Sequence, residues 1–446
     1  MTDRPSRSVA VVGGGVLGLV LGLRLAERGH RPTVFEAAPG FGGLAGSDAI
    51  SGYTWDRFYH VILLSDTRLR ALLDELGLGE HLRWSPTRTG FYIDDRLLSL
   101  STALDFLRFP PISLVDKVRL GMTILYASRL RDWHALERQT AIAWLERWCG
   151  RRTVDRLWRP LLRAKLGENH TRASAAFIWA IIARMYAARR TGNKQELFGH
   201  VDDGYDAILS RLVERARARG VTLVSDAAIR RVGQTDAGEQ VMIQRDGRQP
   251  EAFDAAVLTV PCGLVASLCP DLTAAETARL RGVTYQGIVC ALLLCRRPLS
   301  KFYITNIADA WPPFTAVIEM TALVDRARFG GQSLVYLPRY LGQDDPFWER
   351  SDAEIRAEFV PALRRMHPGL EESDITAFQV ARARQVLALS TLNYSTESMP
   401  PVATSLPGVF VVNSAQIPNG TLNVNETLGV VEQALPRVLG GLDGLP

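Results

Sequence analysis

Three glycines near the start of the chain, Gly13, Gly15 and Gly18, stand in G-x-G-x-x-G spacing directly after an apolar run at 9–12. Leu17, Leu21 and Ala26 then recur at core-like helical positions, Gly29 closes that segment, and a second apolar run at 33–36 ends in Glu36. Strand, glycines, helix, strand and acid in register predict an α/β unit on a parallel sheet. Each part has a physical task. Gly13 allows a tight turn out of the strand, and Gly18 lets the helix sit close on the sheet. Gly15 lets a pyrophosphate reach the helix N-terminus, where free N–H groups and the dipole favour an anion. Glu36 is placed to accept hydrogen bonds from both hydroxyls of a ribose. The apolar run 9–23 behind Arg4 and Arg7 has the outline of a signal peptide. It is shorter than the ~20 residues a membrane helix needs, and the glycine register favours the nucleotide reading.

A chain of 446 residues has room for two or three domains, and 47% hydrophobic with 22% charged residues excludes collagen, coiled coil and long disorder. A net charge of +5 is too thin over this length to name a nucleic acid as partner. Five cysteines without a C-x-x-C pair predict neither a disulfide framework nor a zinc site, no metal is expected, and a reducing cytoplasm fits.

Six residues beyond Glu36 come Gly42 and Gly43, followed by Leu44. This E-x5-G-G resembles the extended fingerprint of FAD-binding flavoenzymes. GYTWDRFYH at 52–60 is similar to the segment that passes beside the flavin in protoporphyrinogen oxidases, carotenoid desaturases and UDP-galactopyranose mutases. DAAIRRV at 226–232 and DAAVLTVP at 254–261 resemble the middle section of the same enzymes, and GVFVVN at 408–413 resembles their last strand. On these blocks the chain is identified as a member of the FAD-dependent amine oxidase / protoporphyrinogen oxidase / phytoene desaturase superfamily.

The resemblance implies noncovalent FAD and an α/β fold: a Rossmann-like FAD-binding domain with an inserted α+β substrate domain carrying a helical cap. Residues 1–60, 200–265 and 401–446 are expected to form the FAD domain, and 61–199 and 266–400 the substrate and cap domain. Asp56 and His60 are implied near the flavin, Ile229 at the adenine and Pro261 at the end of the FAD sheet. Asn413 and Ser414 replace the usual Gly-acid pair, leaving a less negative cradle that biases the flavin potential upward. Asn423, Asn425 and Glu426 sit where a helix is expected to aim free N–H groups at the flavin edge.

The reaction implied is removal of a hydride from a C–N, C–C or C–OH centre of a largely apolar or amphipathic small molecule. The strand expected at 282–294 lacks the lysine that amine oxidases carry there, which fits a dehydrogenase using an acceptor other than O2. Candidate catalytic residues are His60, Lys165, Glu319 and Tyr336. Glu319 interrupts an apolar strand and needs a partner or a raised pKa there. Arg163 and Lys165 lie in the cap run WRPLLRAKLG, a solvated face or an anion contact. A rival reading is a redox-neutral sugar-nucleotide mutase gripping a pyrophosphate with arginines such as Arg163 and Arg339. A third is a flavin-binding protein without catalysis. The apolar segment 174–190, with Arg184, Arg189 and Arg190, reads as a core helix, with peripheral membrane contact as its alternative.

Overall fold

The computed structural model describes residues 5–189, 196–235, 238–419 and 422–445. Five short strands form a parallel sheet in the order Thr222–Val224, Arg31–Phe35, Ser8–Val12, Ala255–Leu258, Val409–Val411. Both faces are covered, which is why these strands are continuous apolar runs rather than alternating ones. Val9 and Val11 face helices Val16–Ala26, Gly204–Ala218 and Val424–Asp443. Ala10 and Val12 face helix Cys262–Leu268 and a three-stranded antiparallel layer, Ile229–Gln234, Val241–Arg245 and Glu251–Phe253. The second strand stops at Phe35, so Glu36 lies just beyond the sheet edge, free to turn back on the glycine loop.

A second sheet has seven strands in the order Ile375–Ala388, Tyr285–Cys295, Ser333–Leu341, Ala316–Glu319, Ile304–Ile307, Thr89–Ile93, Arg96–Ser99. Its pairs are antiparallel except Ile304–Ile307 with Thr89–Ile93. The hairpin expected at Asp94 and Asp95 forms there, both residues taking positive φ (56° and 54°) as a two-residue turn requires. One face of the sheet packs on helix Asp352–Met366. The other, carrying Ile288, Cys290, Leu292 and Tyr336, packs on Trp55 and Phe58.

Helices Leu114–Arg129, Ala141–Cys149, Arg159–Leu166 and Ala175–Arg189 pack around a third core. The sequence reading takes 159–170 as a break. Residues 151–166 are instead one helical run, in which the π-helical turn Val154–Trp158 leads straight into Arg159–Leu166, so Pro160 follows a widened turn and does not end the helix. Ala175–Arg189 is a core helix, with Phe177, Ile178 and Ile182 buried. Arg190 lies outside the described residues, as does the side chain of Arg189. All five cysteines are free and buried. Among the described residues no helix is long and apolar enough to cross a membrane.

Candidate functional site

The glycine loop is a backbone cradle. A Cβ on Gly18 would stand 1.9 Å from the Gly13 carbonyl oxygen, so the helix meets the strand end at backbone contact. Gly13 N–H donates to the Phe35 carbonyl (2.8 Å), and the Thr259 hydroxyl donates to the carbonyls of Val12 and Gly13 (3.0 and 3.1 Å). Gly15 begins the helix with no side-chain cap, and a Cβ there would meet nothing closer than 3.9 Å. Gly42 N–H donates to the Gly14 carbonyl (2.8 Å), laying the second glycine pair across the first loop, and Leu44 packs into the aromatic core beyond it. The Glu36 carboxylate accepts from Gly14 N–H (2.7 Å) and Ala38 N–H (2.9 Å). Ala227 N–H donates to the Glu36 carbonyl (2.8 Å), which brings the strand starting at Ile229 beside the acid. An uncapped helix N-terminus over a loop without side chains, flanked by an acid, is what the pyrophosphate and ribose of FAD require. The residues present fit it.

At the far end of the sheet the expected residues divide. Pro261 is the N-cap of helix Cys262–Leu268. Asn413 is buried; its amide donates to the Val260 carbonyl (2.8 Å) and its oxygen accepts from Ala415 N–H (3.0 Å). It therefore ties the last strand to the bend at 259–261 rather than reaching outward. Ser414 is half-buried, and its hydroxyl makes no hydrogen bond among the described residues. Asn423 caps helix Val424–Asp443 through Glu426 N–H (3.0 Å). Asn425 turns to another helix, Thr67–Glu75, accepting from Arg68 N–H and Leu69 N–H (3.0 and 3.3 Å), so it does not present itself to a cofactor. Ser414→Asp is expected to retain FAD and lower its potential, read by dye-equilibration titration; an unchanged potential would place Ser414 away from the flavin.

Asp56, His60 and Tyr336 come together. Asp56 is buried and its carboxylate accepts from Tyr205 N–H (2.8 Å) at the N-terminus of helix Gly204–Ala218, where the dipole favours a negative charge. The Tyr336 hydroxyl donates to the Asp56 carbonyl (2.6 Å), joining the second sheet to this segment. His60 Nδ1 stands 3.6 Å from the Asp56 carboxylate, beyond hydrogen-bond length, and its ring lies on Tyr205 with centroids 4.6 Å apart. Tyr336 is fully enclosed, and burial pushes its hydroxyl well above the tyrosine range. With its proton engaged, it braces the site rather than exchanging protons.

Four residues along the same strand, and so on the same face, Tyr340 does reach open space. A cavity of about 190 Å³ lies between the helices around the third core and the second sheet, lined by Lys165, Phe177, Ile181, Arg184, Met185 and Tyr340 among others. The Arg184 guanidinium is held by the buried Asp66 carboxylate (2.8 Å), which also accepts from Leu63 N–H. The Lys165 ammonium stands 5.4 Å over the Tyr340 ring and has no carboxylate partner among the described residues. Tyr340 shares a hydrogen bond with Tyr59 (2.7 Å).

Glu319 lies elsewhere. It shares the sheet face of Val317 and Val335, which packs on helix Asp352–Met366. Its carboxylate accepts from Leu299 N–H (3.2 Å) and Ser300 N–H (3.0 Å), and burial pushes its pKa up to about 7. The raised pKa expected of it is present, but at a loop anchor on the side away from the cavity. Arg163 pairs with Glu168 at the surface, and Arg339 lies over the Phe347 ring on the Glu319 side, so the two arginines are not brought together.

Three contributors escape the sequence reading. Thr259 buttresses the glycine loop, and the polar residue closing an apolar strand was its signal. Gln286 is the polar side chain in the buried strand Tyr285–Cys295; its oxygen accepts from Asn169 (3.4 Å) and its enclosed Nε2 has no partner. Tyr340 carries no signal apart from the strand's alternation with Tyr336.

The family model for flavin-containing amine oxidoreductases matches residues 18–421. A coproporphyrinogen III oxidase of Mycobacterium bovis is 27% identical over 297 residues, 62% of this chain and 64% of that protein. A probable zeta-carotene desaturase of Synechococcus elongatus is 26% identical over 286 residues, 57% of this chain and 58% of that protein. The chain thus matches less than two thirds of the length of either relative. The crystal structure of a reduced UDP-galactopyranose mutase superposes with a TM-score of 0.75 at 14% identity, over 98% of this chain and 96% of that one, a likeness of fold. The chain belongs to the flavin-containing amine oxidoreductase family, and its cofactor is FAD.

Proposed function

We propose that this enzyme removes a hydride from a largely apolar, amphipathic small molecule carrying an acidic group, seated under the cap with that group at Lys165. The observation that carries this reading is the cavity itself: mostly apolar walls, one cation already neutralised by Asp66, and one ammonium left free. The two curated relatives, named for a coproporphyrinogen and a carotene, support a bulky and mostly apolar substrate.

In this reading 1–60, 200–265 and 401–446 hold the FAD, through the loop at 13–18, Glu36, the Gly42-Gly43 pair and Ser414. Bound there, FAD supplies the two-electron acceptor for the hydride. The chain's own residues do the rest. The cap and the second sheet, 61–199 and 266–400, exclude water, and Lys165 fixes the orientation of the substrate. His60 is the proposed proton acceptor: its Nδ1 is enclosed beside Asp56 without a hydrogen-bond partner. The mutase reading rests on likeness of fold alone, since Arg163 and Arg339 stand apart.

Anaerobic mixing tests the proposal. Acidic amphiphiles such as porphyrinogens should bleach the oxidised flavin, whereas turnover of nucleotide sugars only after dithionite reduction would favour the mutase. Lys165→Met should raise KM about tenfold to a hundredfold, the worth of one hydrogen bond to a charged group, with kcat little changed. An unaltered KM for acidic substrates would remove Lys165 from the site.

A further inference from the structure

Gln286 brings an amide into a strand that is buried along its whole length and otherwise mostly apolar, and it is itself 1% exposed. Its partners decide which end of that amide is free. The Arg172 guanidinium can only donate, so the Asn169 atom facing it (3.3 Å) is the side-chain oxygen. Asn169 Nδ2 then points the other way and donates to Gln286 Oε1 (3.4 Å). Turning the Gln286 amide over would set two N–H2 groups against each other. Nε2 is thus an enclosed donor with no partner among the described residues. An N–H that gives up water and finds no acceptor is destabilising, and an apolar side chain would fill this place without that penalty.

The donor stands beside the cavity wall. Gln286 pairs in register with Leu387, which lines the cavity, and side chains directly opposite share a face. Ile288, the next residue on that face, pairs with Tyr340, whose ring carries the Lys165 ammonium. Gly167 closes the helix that bears Lys165, at φ 55° and ψ −140°, a conformation that suits glycine. A Cβ there would lie 3.8 Å from Nε2. The turn therefore brings the ammonium and the amide to one end of the cavity.

We propose that Lys165 and Gln286 hold one carboxylate between them, the ammonium on one oxygen and Nε2 on the other. This rests on the reading of the cavity as the substrate site and narrows it: the substrate is a carboxylic acid, with its apolar body along Phe177, Ile181 and Met185. A plain hydrocarbon would leave both donors enclosed without an acceptor, and a cationic amphiphile would meet the ammonium. One ammonium balances the single charge of a carboxylate and leaves a phosphate monoester under-neutralised.

The test is calorimetric titration of the FAD-loaded protein with octanoate, in wild type, Lys165→Met, Gln286→Met and Asn169→Ala. Binding needs no turnover, so the measurement does not depend on the reaction. Lys165→Met and Gln286→Met should each bind about tenfold or more weakly, the worth of a hydrogen bond to a charged group. Gln286→Met should keep the wild-type flavin spectrum and a Tm no lower than wild type, because it removes an unsatisfied donor. Asn169→Ala keeps both donors and should stay within a few-fold of wild type. Wild-type affinity in Gln286→Met beside a weakened Lys165→Met overturns the shared grip and leaves Lys165 as the anchor. Equal losses in Asn169→Ala and Gln286→Met, or a Tm of Gln286→Met lowered by several degrees, overturn it in favour of a structural brace. No binding to wild type, or no loss in either Lys165→Met or Gln286→Met, overturns the cavity as the seat of the acid and this proposal with it. On wild type alone, octanoate should bind about tenfold or more tightly than 1-octanol, which carries no charge; equal affinity overturns the carboxylate whatever the variants do.

Discussion

Gly15→Ala is expected to yield a folded protein that has lost FAD, while Gly18→Ala is expected not to fold at all. The same added methyl meets two different obstacles. At Gly18 it would stand 1.9 Å from the backbone oxygen of Gly13, a residue held at the strand end by its N–H on the Phe35 carbonyl and by the Thr259 hydroxyl on its own carbonyl. Relief requires lifting helix Val16–Ala26 off the parallel sheet, with Leu19, Val20, Leu21 and Leu23 buried beneath it. Loss of that packing costs several kcal/mol, of the order of the whole stability of a domain. At Gly15 the methyl finds only the Gly42 carbonyl and the Gly43 Cα, both 3.9 Å away, and the φ of −70° suits alanine. The protein loses about 1 kcal/mol there from the poorer N-cap. The space the methyl takes is where a pyrophosphate would approach the helix N-terminus, so FAD affinity should fall on the order of a hundredfold, about 2.7 kcal/mol. Flavin absorbance after purification, a titration with FAD and thermal unfolding of both variants separate the two outcomes. Wild-type affinity in Gly15→Ala would move the pyrophosphate off this loop, and a wild-type Tm in Gly18→Ala would refute the close packing.

That contrast shows why this part of the molecule was legible in the sequence. Everything between residues 8 and 36 is local: spacing alone puts the glycines, the helix and the acid in order, and the chain has few ways to realise it. The hairpin at Asp94 and Asp95 is legible for the same reason, since two residues tolerant of positive φ sit between two apolar runs. What failed to read depended on partners far along the chain. Asp56 serves a helix that begins nearly 150 residues later, and Asn425 caps one more than 350 residues earlier. Glu319 was noticed for a sound reason, an acid in an apolar strand, but the face it occupies is set by pairing with Val335, and no short window contains that register. The exposed apolar stripe of helix Leu114–Arg129 eluded the reading because the helix is apolar on two sides, and periodicity cannot say which of them the neighbouring helices cover.

Glu319→Gln is expected to make the protein less stable in acid and to recover, or more than recover, near neutrality. Glu319 is 2% exposed and its pKa is pushed up to about 7 from an ordinary value near 4.5, chiefly by burial. Below pH 4.5 the carboxyl is protonated in both the folded and unfolded chain and adds no pH dependence. Between there and pH 7 the folded chain keeps a proton that the unfolded chain has released, so stability falls as pH rises and levels off above the folded pKa. Over that span the loss is about 3 kcal/mol. His367 opposes it: buried and neutral, with its pKa pushed down to about 4, it makes stability rise between that value and 6.5. The wild-type curve is therefore nearly flat where both groups act, and only the difference between the proteins exposes either. Glutamine keeps one acceptor for the Leu299 and Ser300 N–H groups and turns an amide N–H2 toward the other, costing about 1–2 kcal/mol where wild-type Glu319 is neutral. The Tm of the variant relative to wild type should climb by roughly 5 °C from pH 4.5 to pH 7.5, crossing or meeting it near neutrality. Turnover measured with any substrate that bleaches the flavin should not move, since the side chain lies on the sheet face away from the cavity. A Tm difference that stays constant with pH would mean that Glu319 is ionised throughout, and a kcat that follows its titration would bring it back to the site.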